Sequence, residues 1–111
     1  MKYSDRLRRG IAHWPRQSHD YYYTDTAGNG IAESADAAFF SASCALGAMV
    51  DPEGASVHDA RVLARKLDDL APISTLPPVP GGGLGTQIEH ANDILRLSRE
   101  SIADALEAAG Y

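Results

Sequence analysis

The chain has 111 residues and a formal charge of −5 at pH 7. This length fits one domain of ordinary size and is too short for two independent cores. A single cysteine, Cys44, excludes an intramolecular disulfide framework. No apolar run reaches the roughly 18 residues that a membrane span needs. The N-terminus also lacks the apolar segment of a signal peptide. We therefore expect one domain, 1–111, located in the cytoplasm and not in a membrane.

Alanine dominates the apolar residues of this chain. Hydrophobic residues make up 44% of the sequence, and 18 of them are alanine. Alanine favours helices because it loses no side-chain entropy there. Only four valines are present, which argues against an all-β fold. The composition predicts a mainly α domain, a small bundle of four or five helices.

The first third of the chain predicts a helix followed by a β-hairpin. Apolar residues recur at helical spacing near the N-terminus, at Tyr3, Leu7, Ile11 and Trp14. They predict a helix that is capped by Ser4, runs to about His13 and is ended by Pro15. The strand-forming run 20–24 and the turn cluster after it predict a β-hairpin or an ordered loop within 20–32.

A second helix is predicted over 35–50, opened by Ser34 and ended by Pro52. It carries no charge after Asp36. A helix that is apolar or small on every side is buried on most sides, so we expect this one to be central. Its large apolar side chains are expected in the core: Phe39, Phe40, Leu46 and Met49.

Ser56 predicts the start of a third helix, which continues to about Ala71 and ends before Pro72. The segment 72–85 that follows contains four prolines and four glycines. A loop of this length inside a small domain is uncommon. We expect it to be either functional or mobile.

The C-terminal segment 86–109 predicts further helix. Thr86 begins a capping box with Glu89, and Gly110 is a helix terminator. A second capping signal at Ser98 leaves two alternatives open. The segment forms either one bent helix or two shorter helices.

Several short features together resemble a family of small domains of unknown function that is common in actinobacterial and phage genomes. In chain order they are Trp14, the turn 25–28, Cys44-Ala45-Leu46-Gly47-Ala48, Asn92-Asp93 and the segment 98–102. The resemblance covers about residues 7–109. That family usually has an aromatic residue where Ser43 and Ala91 stand here. The resemblance implies a small helical domain of phage or prophage origin, and it supplies no activity and no catalytic residue.

Metal and cofactor motifs are incomplete in this sequence. The histidines and the cysteine lack zinc-ligand spacing. The loop that begins at Asp25 lacks two of the calcium ligands of an EF-hand, and the glycine run 81–85 lacks the P-loop lysine. We expect no catalytic residue, no metal and no cofactor. A small metal-dependent enzyme using Glu89, His90 and Asp93, close together on one helix, is kept as the third hypothesis.

Charge is distributed unequally along the chain. Residues 1–16 carry a net charge of +4 and the remainder carries −9. The basic residues of the first segment are Lys2, Arg6, Arg8, Arg9 and Arg16. Such a helix could bind phosphates, whereas the acidic remainder repels them. A nucleic-acid-associated protein that uses these five residues is therefore the second hypothesis.

The leading hypothesis is a non-enzymatic protein-interaction module that binds, and could thereby inhibit, a partner protein. Tyrosine and arginine are enriched at interface hot spots. Loops on a helical scaffold commonly carry contacts. The expected contact residues are Arg8, Arg9, Tyr21, Tyr22, Tyr23, Pro78 and Gly82. The sequence identifies neither the partner nor the oligomeric state.

Overall fold

The computed structural model describes all 111 residues and contains five helices and a small sheet. The helices are α1 (Tyr3–His13), α2 (Ala45–Ala48), α3 (Val57–Asp68), α4 (Leu84–Asp93) and α5 (Arg99–Ala108). The strands are β1 (Arg16–Gln17), β2 (Tyr23–Thr24) and β3 (Ala42–Ser43), and a 3₁₀ turn lies at Ala37–Phe39. The prediction of a mainly α fold with four or five helices is confirmed. None of these helices combines the length and the apolar character needed to cross a lipid bilayer.

The five helices contribute to one hydrophobic core. Its fully or almost fully buried members include one side chain from each helix in turn: Leu7, Leu46, Leu63, Ile88 and Ile102. The most extensive helix–helix contacts are between α1 and α5, between α1 and α2, and between α3 and α4. The chain termini meet on the first of these interfaces, because the Ser4 backbone N–H donates to the Tyr111 carbonyl. Ser4 is thus buried inside α1, and Lys2 holds the cap position expected for Ser4.

Gly10 allows α1 to lie directly against α2. A Cβ atom at this position would overlap the backbone carbonyl of Ala48. Any side chain here would therefore separate the two helices. The close approach buries Leu7 and Trp14 on the predicted apolar stripe, while Ile11 is half-buried at its edge.

The sheet joins three segments that are distant in the sequence. β3 is its central strand, parallel to β1 and antiparallel to β2. The expected turn after β2 is present, since the Asp25 carboxylate accepts hydrogen bonds from the backbone N–H groups of Ala27 and Asn29. Thr24 then pairs with Gly30 in a single bridge. The hairpin over 20–32 is thus reduced to one bridge, and the main partner of β2 is β3.

The predicted helix over 35–50 is wrong. The structure divides that segment into the 3₁₀ turn, β3 and the four-residue α2. The backbone N–H groups of Ser41 and Cys44 donate to the carbonyls of Thr24 and Tyr22. The segment 41–44 therefore pairs with the segment that contains β2 and does not form a helix. Phe39 was expected in the core and is 66% exposed, because it lies before the chain turns inward.

The other large side chains of that segment are buried as expected. Phe40, Leu46 and Met49 all belong to the core. Phe40 stacks on the ring of Tyr23 with a centroid separation of 4.1 Å. The extended backbone that replaces the predicted helix over 35–50 thus places the Phe40 ring against the Tyr23 ring.

α3 ends at Asp68, before the predicted end near Ala71, and its last residue organises the start of α4. The Asp68 carboxylate accepts hydrogen bonds from the Gly83 N–H at 3.2 Å and from the N–H and hydroxyl of Thr86 at 2.7 and 2.9 Å. These bonds satisfy amides that a helix N-terminus leaves free. α4 therefore begins at Leu84 with Gly83 as its N-cap, and the capping role expected of Thr86 is wrong.

Two local predictions at the other helix ends are correct. Ser56 and Ser98 cap α3 and α5, each accepting a hydrogen bond from the backbone N–H three residues later. The segment 86–109 is therefore divided between two helices. Gly110 follows α5 with φ of +91°, a conformation that glycine adopts without strain.

The proline- and glycine-rich segment 72–85 follows a fixed path along the core. Leu76 is buried in the middle of it. The Gln87 amide accepts from the Ile73 N–H and donates to the carbonyls of Ile73, Leu76 and Pro77. One buried side chain of α4 thereby replaces the hydrogen bonds that secondary structure would provide.

Candidate binding site

A pocket of about 300 Å³ opens where the segment before β2 meets α2, α3 and α4. This volume is at the lower end of the range of about 300–1,000 Å³ for ligand pockets. The buried lining residues form its base: Tyr23, Cys44, Leu46, Val57 and Asn92. The exposed or half-buried lining residues form its mouth: Asp20, Tyr21, Tyr22, Ile31, Arg61, Glu89 and Asp93. The base is therefore largely apolar and the mouth is aromatic and charged.

Asn92 connects the elements that form the pocket. Its side-chain oxygen accepts hydrogen bonds from the Ala45 N–H at 3.0 Å and the Gln17 amide at 2.9 Å. Its side-chain nitrogen donates to the Ser18 carbonyl at 2.9 Å and to the Asp93 carboxylate at 2.7 Å. Asn92 is 1% exposed. This one amide therefore holds together the start of α2, the end of α4 and the chain after β1.

The backbone that presents the first tyrosine is held in the same network. The Asp20 N–H donates to the Asp93 carboxylate at 3.0 Å. Asp20 has φ of +70°, the left-handed region in which aspartate is tolerated better than most residues. This conformation turns the chain into Tyr21, whose ring lies against Gly30. The pocket mouth is thus formed by a fixed turn.

The structure brings together the two main motifs of the sequence resemblance. Cys44 and Ala45 begin α2, and the Ala45 N–H is the donor to Asn92. The Cys44 sulfur accepts from the Gly47 N–H at 3.4 Å. Burial raises the pKa of the Cys44 thiol to about 12. Both motifs therefore have a role in stabilising the helix junction, and a protonated buried thiol is not a nucleophile.

The three consecutive tyrosines differ in their surroundings. Tyr21 is 54% exposed and Tyr22 is half-buried. Tyr23 is fully buried, and its hydroxyl donates to the Gly47 carbonyl at 2.7 Å. Burial raises the pKa of both Tyr22 and Tyr23. The expectation that Tyr23 lies on a contact surface is wrong, because its ring is part of the core.

The basic residues of the N-terminal segment lie outside the pocket, and two of them are engaged within the protein. Arg8 bridges Asp104 at 2.8 Å and Glu107 at 2.7 Å on α5. The Arg6 Nε donates to the Met49 carbonyl at 3.0 Å. The others are exposed or half-buried, with no side-chain hydrogen bond: Lys2, Arg9 and Arg16. The structure therefore does not combine the five cations into one free surface.

A second, shallower depression of about 380 Å³ adjoins the pocket. It is lined by Asp20, Val79, Thr86, Glu89, His90, Asp93 and Ile94. Pro78 and Gly82 are exposed on the loop that contributes Val79. Three acidic residues line both depressions: Asp20, Glu89 and Asp93. The two depressions are therefore adjacent and share these acidic residues, the acidic junction; together the two depressions are called the groove.

Glu89 is a carboxyl of the groove with a perturbed pKa. Burial raises its pKa, and the neighbouring carboxylates of Asp93 and Asp68 raise it further.

The structure holds no group of three or more histidine, cysteine, aspartate or glutamate side chains placed to ligate a metal ion. Glu89, His90 and Asp93 line the same depression without forming such a group.

Sequence reasoning did not identify most of the groove. Asn92 had one signal, because it lies four residues after Ile88 on the apolar face of α4. A polar residue on such a face indicates a buried hydrogen-bonding role. For Asp20, Ile31 and Arg61 no local pattern indicates that they approach α4.

A scan against family models, a search of curated proteins and a search of solved structures each find no match to this chain. The resemblance to the actinobacterial and phage family therefore stays a prediction.

Proposed function

We propose that this chain is a cytoplasmic, non-enzymatic protein-interaction module that acts by binding a partner protein through the tyrosine-lined pocket. The observation that carries the proposal is a pocket with a buried apolar base and an exposed tyrosine, Tyr21, at its mouth. Aromatic side chains of this kind are enriched among the residues that dominate binding energy. The phage or prophage origin implied by the resemblance is compatible with such a role and stays a prediction.

The geometry supports binding in a second way, because the pocket is formed in the unbound chain. Asn92 and Asp93 hold the backbone on both sides of the mouth. A site that is already ordered loses less conformational entropy when a partner binds. The pocket therefore favours a partner that inserts one side chain over one that requires the fold to rearrange.

The experiment is a tagged pull-down from lysate of the cells that encode the protein, with and without nuclease. Three baits are compared: wild type, Tyr21→Ala and Phe39→Ala. Phe39 is the matched control, since it is also an exposed aromatic residue, at 66%, and it does not line the groove. We expect one stoichiometric protein that survives nuclease, is retained by Phe39→Ala and is lost with Tyr21→Ala.

Two outcomes would overturn the proposal. Equal recovery with Tyr21→Ala and wild type would place the contact surface away from the pocket. Recovery that disappears with nuclease, falls steeply with salt and requires Lys2, Arg9 and Arg16 would favour the nucleic-acid hypothesis. Circular dichroism of both variants is needed to show that each bait is folded.

A further inference from the structure

The groove combines apolar and acidic surfaces. At one end lies the pocket with its apolar base, including Leu46 and Val57. At the other end Val79 and Ile94 line the shallow depression, and Ile94 is 66% exposed. Asp20, Glu89 and Asp93 lie between these ends, where the two depressions meet. Acidic residues thus line both depressions, next to the apolar base of the pocket.

The negative charge at the junction has no cation paired with it. The ion pairs of this protein join Arg8 to α5 and Arg61 to Glu33. Arg61 is the only basic residue that lines the pocket. It is already paired with Glu33. Lys and Arg side chains elsewhere do not line either depression.

The carboxylates themselves are also available to a ligand. The side chains of Asp20 and Glu89 make no hydrogen bond within the protein. Asp93 accepts the bonds from Asn92 and from the Asp20 N–H on one oxygen, Oδ1, and its other oxygen makes none. Asp20 and Glu89 are exposed and Asp93 is half-buried, so a ligand can reach all three carboxylates. Charges that do not stabilise a fold are candidates for a role in binding.

We propose that the groove takes an extended segment of a partner protein in which an apolar residue lies next to a lysine or arginine. The apolar side chain enters the pocket, and the basic side chain lies against Asp20, Glu89 and Asp93. This inference rests on the proposed function and adds the chemistry of the partner. Lysine and arginine suit this position because an apolar stem carries the charged group, and the Tyr21 ring can receive a cation on its face.

A substitution of Glu89 can distinguish a role in binding from a role in stabilising the fold. The Glu89 side chain makes no hydrogen bond or ion pair within the protein, and its pKa is raised by partial burial and by nearby carboxylates, so its ionised form does not stabilise the fold. Glu89→Gln removes the charge and keeps the shape. If Glu89 were structural, this change would lower stability. If Glu89 serves binding, the change leaves stability equal or higher and weakens binding, as is common at functional positions.

The test uses a displayed library of random 12-residue peptides, selected on the wild-type protein. We expect the recovered peptides to share an apolar residue adjacent to lysine or arginine. The most enriched peptide is then labelled, and its affinity is measured by fluorescence anisotropy for wild type, Glu89→Gln and Glu53→Gln. Glu53 is the matched control, since it is exposed, makes no side-chain bond and lines neither depression.

We expect Glu89→Gln to weaken binding of the peptide by up to about fivefold, without a lower melting temperature. Glu53→Gln should leave the affinity within about twofold, because exposed charges outside the interface contribute little. Added salt should weaken the wild-type complex, since the attraction is partly electrostatic.

The outcomes distinguish this inference from the function on which it rests. Peptides that need Tyr21 but contain no basic residue, or that bind Glu89→Gln as tightly as wild type, would overturn the inference and leave the proposed function standing. Recovery of acidic peptides would likewise overturn it. A library that yields no Tyr21-dependent peptide would contradict both proposals.

Discussion

Replacing Asn92 with alanine should strongly destabilise the protein, because the Asn92 amide is buried and hydrogen-bonded through both its oxygen and its nitrogen. The change removes four hydrogen bonds at once. Two of the lost partners are deeply buried backbone groups, the N–H of Ala45 and the carbonyl of Ser18. Each buried polar group left without a partner costs about 1–3 kcal/mol. The expected loss is therefore about 2–6 kcal/mol.

A loss of this size is measurable against the stability of the whole chain. A domain has roughly 0.05–0.15 kcal/mol of stability per residue, or about 5–15 kcal/mol for this length. Urea unfolding can be followed by the fluorescence of Trp14, the only tryptophan, which is 3% exposed in the core. With a slope of about 1–3 kcal/mol per molar urea, the midpoint should fall by about 0.7 M or more.

The matched control is Asn29→Ala. Asn29 is exposed, and its backbone N–H and carbonyl are hydrogen-bonded to Asp25 while its side chain makes no hydrogen bond. The same chemical change should therefore alter the free energy of unfolding by no more than about 0.5 kcal/mol. If Asn92→Ala lost less than about 1 kcal/mol, or no more than Asn29→Ala, the interpretation of Asn92 as the junction of the fold would be refuted.

Three further predictions concern other contacts. Gly10→Ala should lower the melting temperature although alanine is the better helix former by about 1 kcal/mol, because its Cβ would overlap the Ala48 carbonyl; a higher melting temperature would contradict that packing. The three hydrogen bonds that Asp68 accepts from Gly83 and Thr86 lower its pKa below the usual 3.8. The carboxylate therefore contributes stability above pH 3.8, and this contribution is lost as the pH falls through the lowered value. The difference in unfolding free energy between wild type and Asp68→Asn should accordingly shrink in acid, and a constant difference would contradict the assignment. Burial raises the pKa of Cys44 to about 12, so a thiol-specific disulfide reagent near pH 8 should label it slowly in the native protein and rapidly in urea; rapid native labelling would show that the thiol is accessible.

Local signals in the sequence correctly predicted several helices and their ends. Ser56 and Ser98 cap α3 and α5, and Gly110 terminates α5. The apolar stripe of α1 is also as expected, with Leu7 and Trp14 buried. These features could be predicted because each depends on residues within one or two helical turns, where the hydrogen-bond partner and the spacing are both visible in the sequence.

Local signals in the sequence predicted only part of the candidate site. The tyrosine run was recognised, but which tyrosine is exposed was not. Tyr21 and Tyr23 have the same chemistry and lie two residues apart, yet one is 54% exposed and the other is fully buried. The difference arises from the β2–β3 pairing and from the Tyr23 hydroxyl bond to Gly47. No pattern of residues near position 21 contains that information.

The sequence by itself therefore determined a mainly α chain, its capped helices and its apolar stripes. Only the tertiary structure decided the backbone of 35–50, the start of α4 and the groove. In each case the deciding partner is remote in the chain: Tyr22 pairs with Cys44, Asp68 binds Thr86, and Asn92 binds Ala45. The alanines of segment 35–50 favour a helix locally, but the hydrogen-bond partners that folding brings to the segment override this weak preference.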